Sequence, residues 1–279
     1  MSNCNHDCKS CGDNGCDKRS FIETPKPSTK IKKIIGVMSG KGGVGKSLVT
    51  SLLAVAANKR GLKTAVADAD VLGPSVPKTF GLKEKDRMQG SDEGLFPSIT
   101  KNGIKIASIN LLLEEETMPV VWRGPVVSGV VKQFYTDVLW EDVDVMFIDM
   151  PPGTGDVPLT VFQSIPIDGA VIVTTPQDLV KMVVEKSYNM AAMMKIPVAG
   201  VIENMSYLEC PNCGEVIYPF GKGKTEEVAA KFGVDFLGNI PIKEEIRKAV
   251  DNGEIESLDV GFLDAALDKI LRFKGATDK

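Results

Sequence analysis

Ile34-Ile35-Gly36-Val37-Met38-Ser39-Gly40-Lys41-Gly42-Gly43-Val44-Gly45-Lys46-Ser47 decides how the rest of the chain is read. An apolar run, Ile34 to Met38, meets a glycine-rich loop, and Leu48 to Lys59 follows with helix-like spacing. The order strand, loop, helix fits G-x-x-x-x-G-K-[ST], in which glycines let backbone N–H groups wrap a polyphosphate at a helix N-terminus. Gly40, Gly42, Gly43, Val44 and Gly45 would form that cradle. Lys46 is then placed to reach the β and γ phosphates, and Ser47 to offer its hydroxyl to Mg²⁺.

Around this stretch lie 279 residues, 43% hydrophobic and 25% charged, enough to bury one sizeable core as a single α/β domain. The net charge of −4 provides no overall basic field for nucleic acid or anionic lipid. No apolar run approaches the ~18 residues of a membrane span, and the polar, cysteine-bearing N-terminus does not read as a signal peptide. A cytoplasmic protein with neither nucleic-acid nor membrane partners is the expectation. In such a reducing compartment, six cysteines in short-spaced sets point to metal rather than to disulfides.

Downstream of the loop, Lys63 to Asp68 reads as a buried parallel strand ending in Asp68-Ala69-Asp70, with Gly73-Pro74-Ser75 turning away. Acids at strand C-termini face the ligand crevice of an open α/β sheet. Asp70 is assigned to orienting an attacking water and Asp68 to the Mg²⁺ shell, with capping of the next turn as the plainer role for Asp68. Val143 to Asp149 is an apolar strand closed by an acid, the Walker B pattern, so Asp149 should hold Mg²⁺ through water. The loop Met150 to Asp156 can sense a γ-phosphate by turning a backbone N–H toward it.

Ile104 to Leu113, Ala170 to Thr175 and Val198 to Ile202 read as further strands, and Leu179 to Met194 as a helix. Trp122-Arg123-Gly124-Pro125 starts another helix, with Val126, Val130, Val131 and Phe134 as its core stripe. Met182, Met190, Met193 and Met194 offer either core packing or an adaptable partner surface. Leu263, Leu267, Ile270 and Leu271 form a stripe for the core or, less naturally beside Asp264 and Asp268, a membrane surface. Asn204, just past a strand end, can pair with an adenine edge or form a turn.

Residues 1–30 carry Cys4, Cys8, Cys11 and Cys16, followed by Pro25 and Pro27, with too little apolar surface to fold alone. Their C-x3-C-x2-C-x4-C spacing can converge on a metal. Zinc, iron–sulfur and no metal all remain open, and the short Cys8-x2-Cys11 step tilts toward a [4Fe–4S] cluster. We divide the chain into this tail, 1–30, and a nucleotide domain, 31–279. Within the domain, Cys210-Pro211-Asn212-Cys213 supplies two thiolates where zinc or a cluster wants four, which a two-fold related chain or the tail can complete.

Lys41 lies outside the general phosphate-loop pattern, and at this position the stretch resembles the deviant Walker A family of MinD, ParA, the arsenite and tail-anchored-protein ATPases and nitrogenase iron protein. That resemblance implies a lysine reaching the partner's nucleotide across a homodimer. Gly40 to Ser47, Asp68-Ala69-Asp70, Trp122 to Pro125, Asp149 to Asp156 and Cys210-x2-Cys213 together resemble the Mrp/ApbC family of iron–sulfur cluster carriers. The tail is similar to that of Nbp-type scaffolds, with a shorter gap between Cys4 and Cys8. The resemblance implies an α/β P-loop fold with a mostly parallel sheet flanked by helices. It further implies a homodimer that binds ATP and hydrolyses it slowly, with Lys41, Lys46 and Asp70 catalytic. A [4Fe–4S] cluster bridged by the Cys210 and Cys213 pairs would be handed to apoproteins. The rival is a MinD- or ParA-like positioning ATPase with structural zinc at the cysteine pair.

Overall fold

A computed structural model describes residues 22–71, 73, 75–113, 124–153, 155–176 and 180–275. The four tail cysteines, Trp122 and Arg123 lie outside these described residues.

Eight strands form one sheet: β1 Ile34–Met38, β2 Thr64–Asp68, β3 Ser98–Ile99, β4 Lys105–Ala107, β5 Val145–Asp149, β6 Gly169–Thr174, β7 Val198–Glu203 and β8 Phe236–Asn239. Their spatial order is β8-β7-β6-β1-β5-β2-β4-β3. All pairings are parallel except β3 against β4. β1, β2, β5 and β6 are buried along their whole length, which explains why they read as unbroken apolar runs.

The principal helices are α1 Lys46–Lys59, α2 Gly124–Thr136, α3 Asp156–Ser164, α4 Val180–Met193, α5 Thr225–Lys231, α6 Glu244–Asn252 and α7 Asp264–Arg272. Chain order steps one way from β1 to β2 and the other way from β5 through β8. Right-handed crossovers therefore put α1 on one face and α3, α4 and α5 on the other. α7 joins α1, touching β7 and β8, and its Leu267 and Ile270 are fully buried. That stripe thus belongs to the core and not to a membrane surface; among the described residues no helix is long and apolar enough to cross a bilayer. At the sheet's outer edge, Lys269 Nζ donates to the Phe236 carbonyl of β8 at 2.9 Å.

Four expectations need correction. The strand expected over Ile104 to Leu113 is confined to β4, and a 3-10 turn, Ile109–Leu111, follows. The buried Ser108 breaks it by donating to the Asp68 carboxyl at 3.0 Å. In the α2 stripe Val131 and Phe134 are buried and Val130 packs on the core, but Val127 takes the place of Val126, which is 51% exposed. The methionines of α4 divide between roles, Met190 being buried while Met193 is 78% exposed. Finally, the domain takes hold of the chain before residue 31. Glu23 N–H donates to Ser164 O at 2.8 Å, Glu23 pairs with Lys132 at 3.1 Å, and Lys30–Ile31 runs parallel to Asp142–Val143.

Candidate functional site

The register that aligns the strands also gathers the acids. Asp68 of β2 lies beside Asp149 of β5, and Asp149 beside Val37 of β1, so all three strands end where the glycine loop begins. Gly45 caps α1 in the left-handed region, φ 77°, and a Cβ there would overlap the Asn204 amide nitrogen. Both facts demand glycine. Gly40 answers to a different constraint, because a Cβ on it would run into the Val183 carbonyl of α4. Gly153 N–H donates to Ser39 O at 2.9 Å, holding the loop after β5 against the glycine loop.

Asp149 is the hub of the cleft. It is fully buried, and its Oδ1 lies 2.7 Å from Lys46 Nζ and 2.9 Å from Thr50 Oγ1. Ser47 Oγ donates to Oδ2 at 2.5 Å. Asp70 Oδ2 stands 3.6 Å from Lys46 Nζ and lines a cleft of about 320 Å³ together with Ser39, Gly42 to Leu48, Ser75, Thr79 and Pro152. Lys41 is half-buried, its carbonyl accepting from Ser39 Oγ at 2.9 Å, and it does not line that cleft.

Two acids deviate from ordinary carboxylate behaviour. Burial, with the charge of Asp149 adding to it, pushes Asp68 up to about 8, against the pull of Lys46 and Ser108. Burial also raises Asp70 above its ordinary value in spite of Lys46. Asp68 is fully enclosed and accepts from Ser108 Oγ and from Asp70 N–H at 3.2 Å. The acid that meets Ser47 is Asp149. Asp68, expected in the Mg²⁺ shell, lies on the neighbouring strand and accepts from the Asp70 backbone. Asn204, expected to pair with an adenine edge or form a turn, is buried against the loop, Nδ2 donating to Val44 O at 2.9 Å.

The cysteine pair sits on an arm beyond β7, at the same end of the sheet. Leu208–Glu209 and Val216–Ile217 pair as a two-residue antiparallel hairpin. Between them Cys210 N–H donates to Glu215 O, and Gly214 N–H, at φ 73°, donates to Cys210 O, both at 2.9 Å. Backbone N–H groups of Asn212 and Cys213, then the Cys213 thiol, hold the Cys210 thiol below its ordinary value. Both sulfurs belong to free cysteines, Cys213 exposed, and Val216, Ile217, Tyr218 and Phe220 expose apolar surface beside them. Among the described residues no three His, Cys, Asp or Glu side chains converge as a metal set.

Sequence reasoning missed Thr50, Ser108 and Glu203. Thr50 and Ser108 meet carboxylates far away in sequence and Glu203 meets Thr225 across the arm; Thr50, one helical turn beyond Lys46, is the one that spacing could have found.

With this geometry in view, comparison with known proteins is informative. The family model described as ParA, NUBPL iron-transfer P-loop NTPase matches residues 30–270. An iron-sulfur cluster carrier protein of Methanocaldococcus jannaschii is 47% identical over 91% of this chain and 90% of its own length. A protein of the same name from Clostridium perfringens is 46% identical over 88% of each. Among solved structures, a nucleotide-binding protein of Archaeoglobus fulgidus in complex with ADP, in which cobalt was found, superposes with TM-score 0.74 at 49% identity, covering 82% of this chain and 89% of that one. MinD of Aquifex aeolicus, in its complex with MinC, is similar in fold alone, at TM-score 0.57 and 19% identity, covering 86% of this chain and 94% of that one.

Proposed function

This chain belongs to the NUBPL iron-transfer P-loop NTPases of the ParA family, and on that premise we propose that it is a nucleotide-dependent iron–sulfur cluster carrier. One observation carries the reading. A phosphate loop after β1 and a pair of free cysteines beyond β7, Cys213 exposed and Cys210 partly so, stand at the same end of one sheet. A positioning ATPase would use the second only as a structural zinc clamp.

ATP is the nucleotide we assign, seated in the cradle from Gly40 to Ser47. The donor set fits a hydrated Mg²⁺: the Ser47 hydroxyl and the Asp149 carboxylate are already in contact, and Mg²⁺ would supply charge neutralisation of the phosphates. Lys46 exchanges its Asp149 partner for phosphate oxygens. Asp70, at the cleft wall and backed by Asp68, orients the attacking water. Lys41, which does not line its own cleft, acts on the nucleotide of a second copy.

The cargo is a [4Fe–4S] cluster held by Cys210 and Cys213 of two protomers. One chain supplies half of a four-thiolate set, and an isologous two-fold interface supplies the same two residues again. Exposed Val216, Ile217, Tyr218 and Phe220 provide apolar area for that contact. Apoproteins with empty cluster sites are the acceptors. Ahead of Glu23, where the chain joins the domain, Cys4, Cys8, Cys11 and Cys16 make a metal-binding tail.

Anaerobic reconstitution tests this. With the four tail cysteines replaced by Ser, the dimer should hold about four iron atoms and none after Cys210→Ala, Cys213→Ala. A colourless protein that holds zinc instead would favour a structural clamp.

A further inference from the structure

Between the two sites lies a buried carboxylate that belongs to neither. Glu203 ends β7 with 3% of its surface exposed. Its partners are hydroxyls: Ser206 Oγ donates to Oε1 at 2.6 Å, and Thr225 Oγ1 donates to Oε2. A Cβ on Gly223 would overlap that same carboxylate. These residues are the two feet of the cysteine arm. The chain leaves the sheet at Ser206, passes through Cys210 and Cys213, and returns at Gly223 and Thr225, where α5 begins.

The next residue reaches the other way. Asn204 donates its N–H to Thr174 O at 2.8 Å and its Nδ2 to Val44 O, with no room between its amide and Gly45. Met205 joins Asn204 to Ser206 at φ 55°, a left-handed conformation that tertiary contacts must hold.

We propose that Glu203 is a positioning residue that couples the phosphate loop to the cysteine arm, so that nucleotide at Val44 and Gly45 sets the geometry of Cys210 and Cys213. The inference rests on the reading of that arm as the cargo-bearing one. Displacement of the loop backbone by a phosphate moves Asn204, because its amide is packed against Gly45. The chain passes the movement to Glu203 and Ser206, and the carboxylate ties Thr225 to it. Glu203 is buried, so releasing either hydroxyl would leave one of its oxygens unpaired and the two feet shift together; Ser206 Oγ, also 3.0 Å from Asn239 Oδ1, ties the first foot to β8 as well.

The test uses the full chain with Cys4, Cys8, Cys11 and Cys16 replaced by Ser, so that a maleimide reports only Cys210 and Cys213. Its alkylation rate is measured with and without Mg-ADP and a non-hydrolysable ATP analogue. Thr225→Val keeps the side-chain shape and removes the hydroxyl; Thr225→Ser restores it. Nucleotide should change the rate about fivefold or more in the parent and in Thr225→Ser, the lower range of allosteric coupling. Thr225→Val should lose that response while it binds nucleotide with the parent's affinity and melts cooperatively. Ser206→Ala cuts the other foot and is read the same way if Thr225→Val fails to fold. A full response in either folded variant, or none in the parent, overturns the proposal. Iron loading is measured on the same samples. Thiols that respond through Thr225 without binding iron refute the carrier and leave the coupling standing; iron bound without such a response does the reverse.

Discussion

At the scale of single residues, the cleft is an electrostatic arrangement in which Lys46 and Ser47 converge on Asp149 and Asp70 waits at the wall. Losing a charge-positioning group from such a site costs on the order of 10² to 10³ in rate. Lys46→Ala and Asp70→Asn should each lower ATP turnover by that amount, as read by phosphate release. Lys41→Ala should do so too, but mixing it with Asp70→Ala chains should restore one active site per mixed dimer; no recovery would refute action across the interface. Asp68 gives a pH prediction. Its folded-state pKa of about 8 is above the unfolded value, so the native protein binds the extra proton and its stability falls as pH rises from about 4 to about 8. Asp68→Asn removes that proton uptake. Its stability relative to the parent should rise across this window by up to about 1.4 kcal/mol per pH unit, measured by denaturant unfolding in EDTA. Lys46, Ser47 and Asp149 were legible from sequence because phosphate and metal chemistry imposes short, fixed spacings. Ser108 and Glu203 were not, since a hydroxyl meeting a carboxylate forty or more positions away, or across an arm, leaves no local pattern.

Elements were legible where burial left no choice. The wholly buried β1, β2, β5 and β6 stood out as apolar runs, and α1 as the segment after the glycines. What escaped were phase and termination. Val126 and Val127 are equally apolar, so only packing decides which faces inward, and β4 stops at Ser108 for a tertiary reason. Glycines separate local from tertiary demands in a testable way. Gly45 and Gly61 both have positive φ, 77° and 80°, but a Cβ meets Asn204 at the first and open space at the second. Gly61→Ala should cost about 1–2 kcal/mol of stability in chemical denaturation and leave nucleotide binding unchanged. Gly45→Ala should carry the same backbone cost and in addition weaken ATP binding by about tenfold or more, as displaced Asn204 distorts the cradle. Equal nucleotide affinity in the two variants would exclude a tertiary role for Gly45.

On the scale of the whole molecule, the proposed bridging cluster would make assembly part of the site. If thiolates from two protomers close one cluster, cargo and subunit contact stabilise each other by linkage. Sedimentation of the tail-cysteine variant should show a dimer when iron is loaded and a shift toward monomer after Cys210→Ala, Cys213→Ala; an unchanged dimer would mean that Val216, Ile217, Tyr218 and Phe220 suffice. The fold was readable at this scale through its motifs, whereas the exposed apolar arm was not, because short strands with ordinary residues look the same in a core. The ends of the sheet carry a last consequence. An open row of backbone groups invites β-pairing with any extended chain. Here one border is only two residues long and antiparallel, and at the other a lysine ammonium already occupies a carbonyl that a stranger's amide would need. Such borders leave little open edge for an extended chain to join.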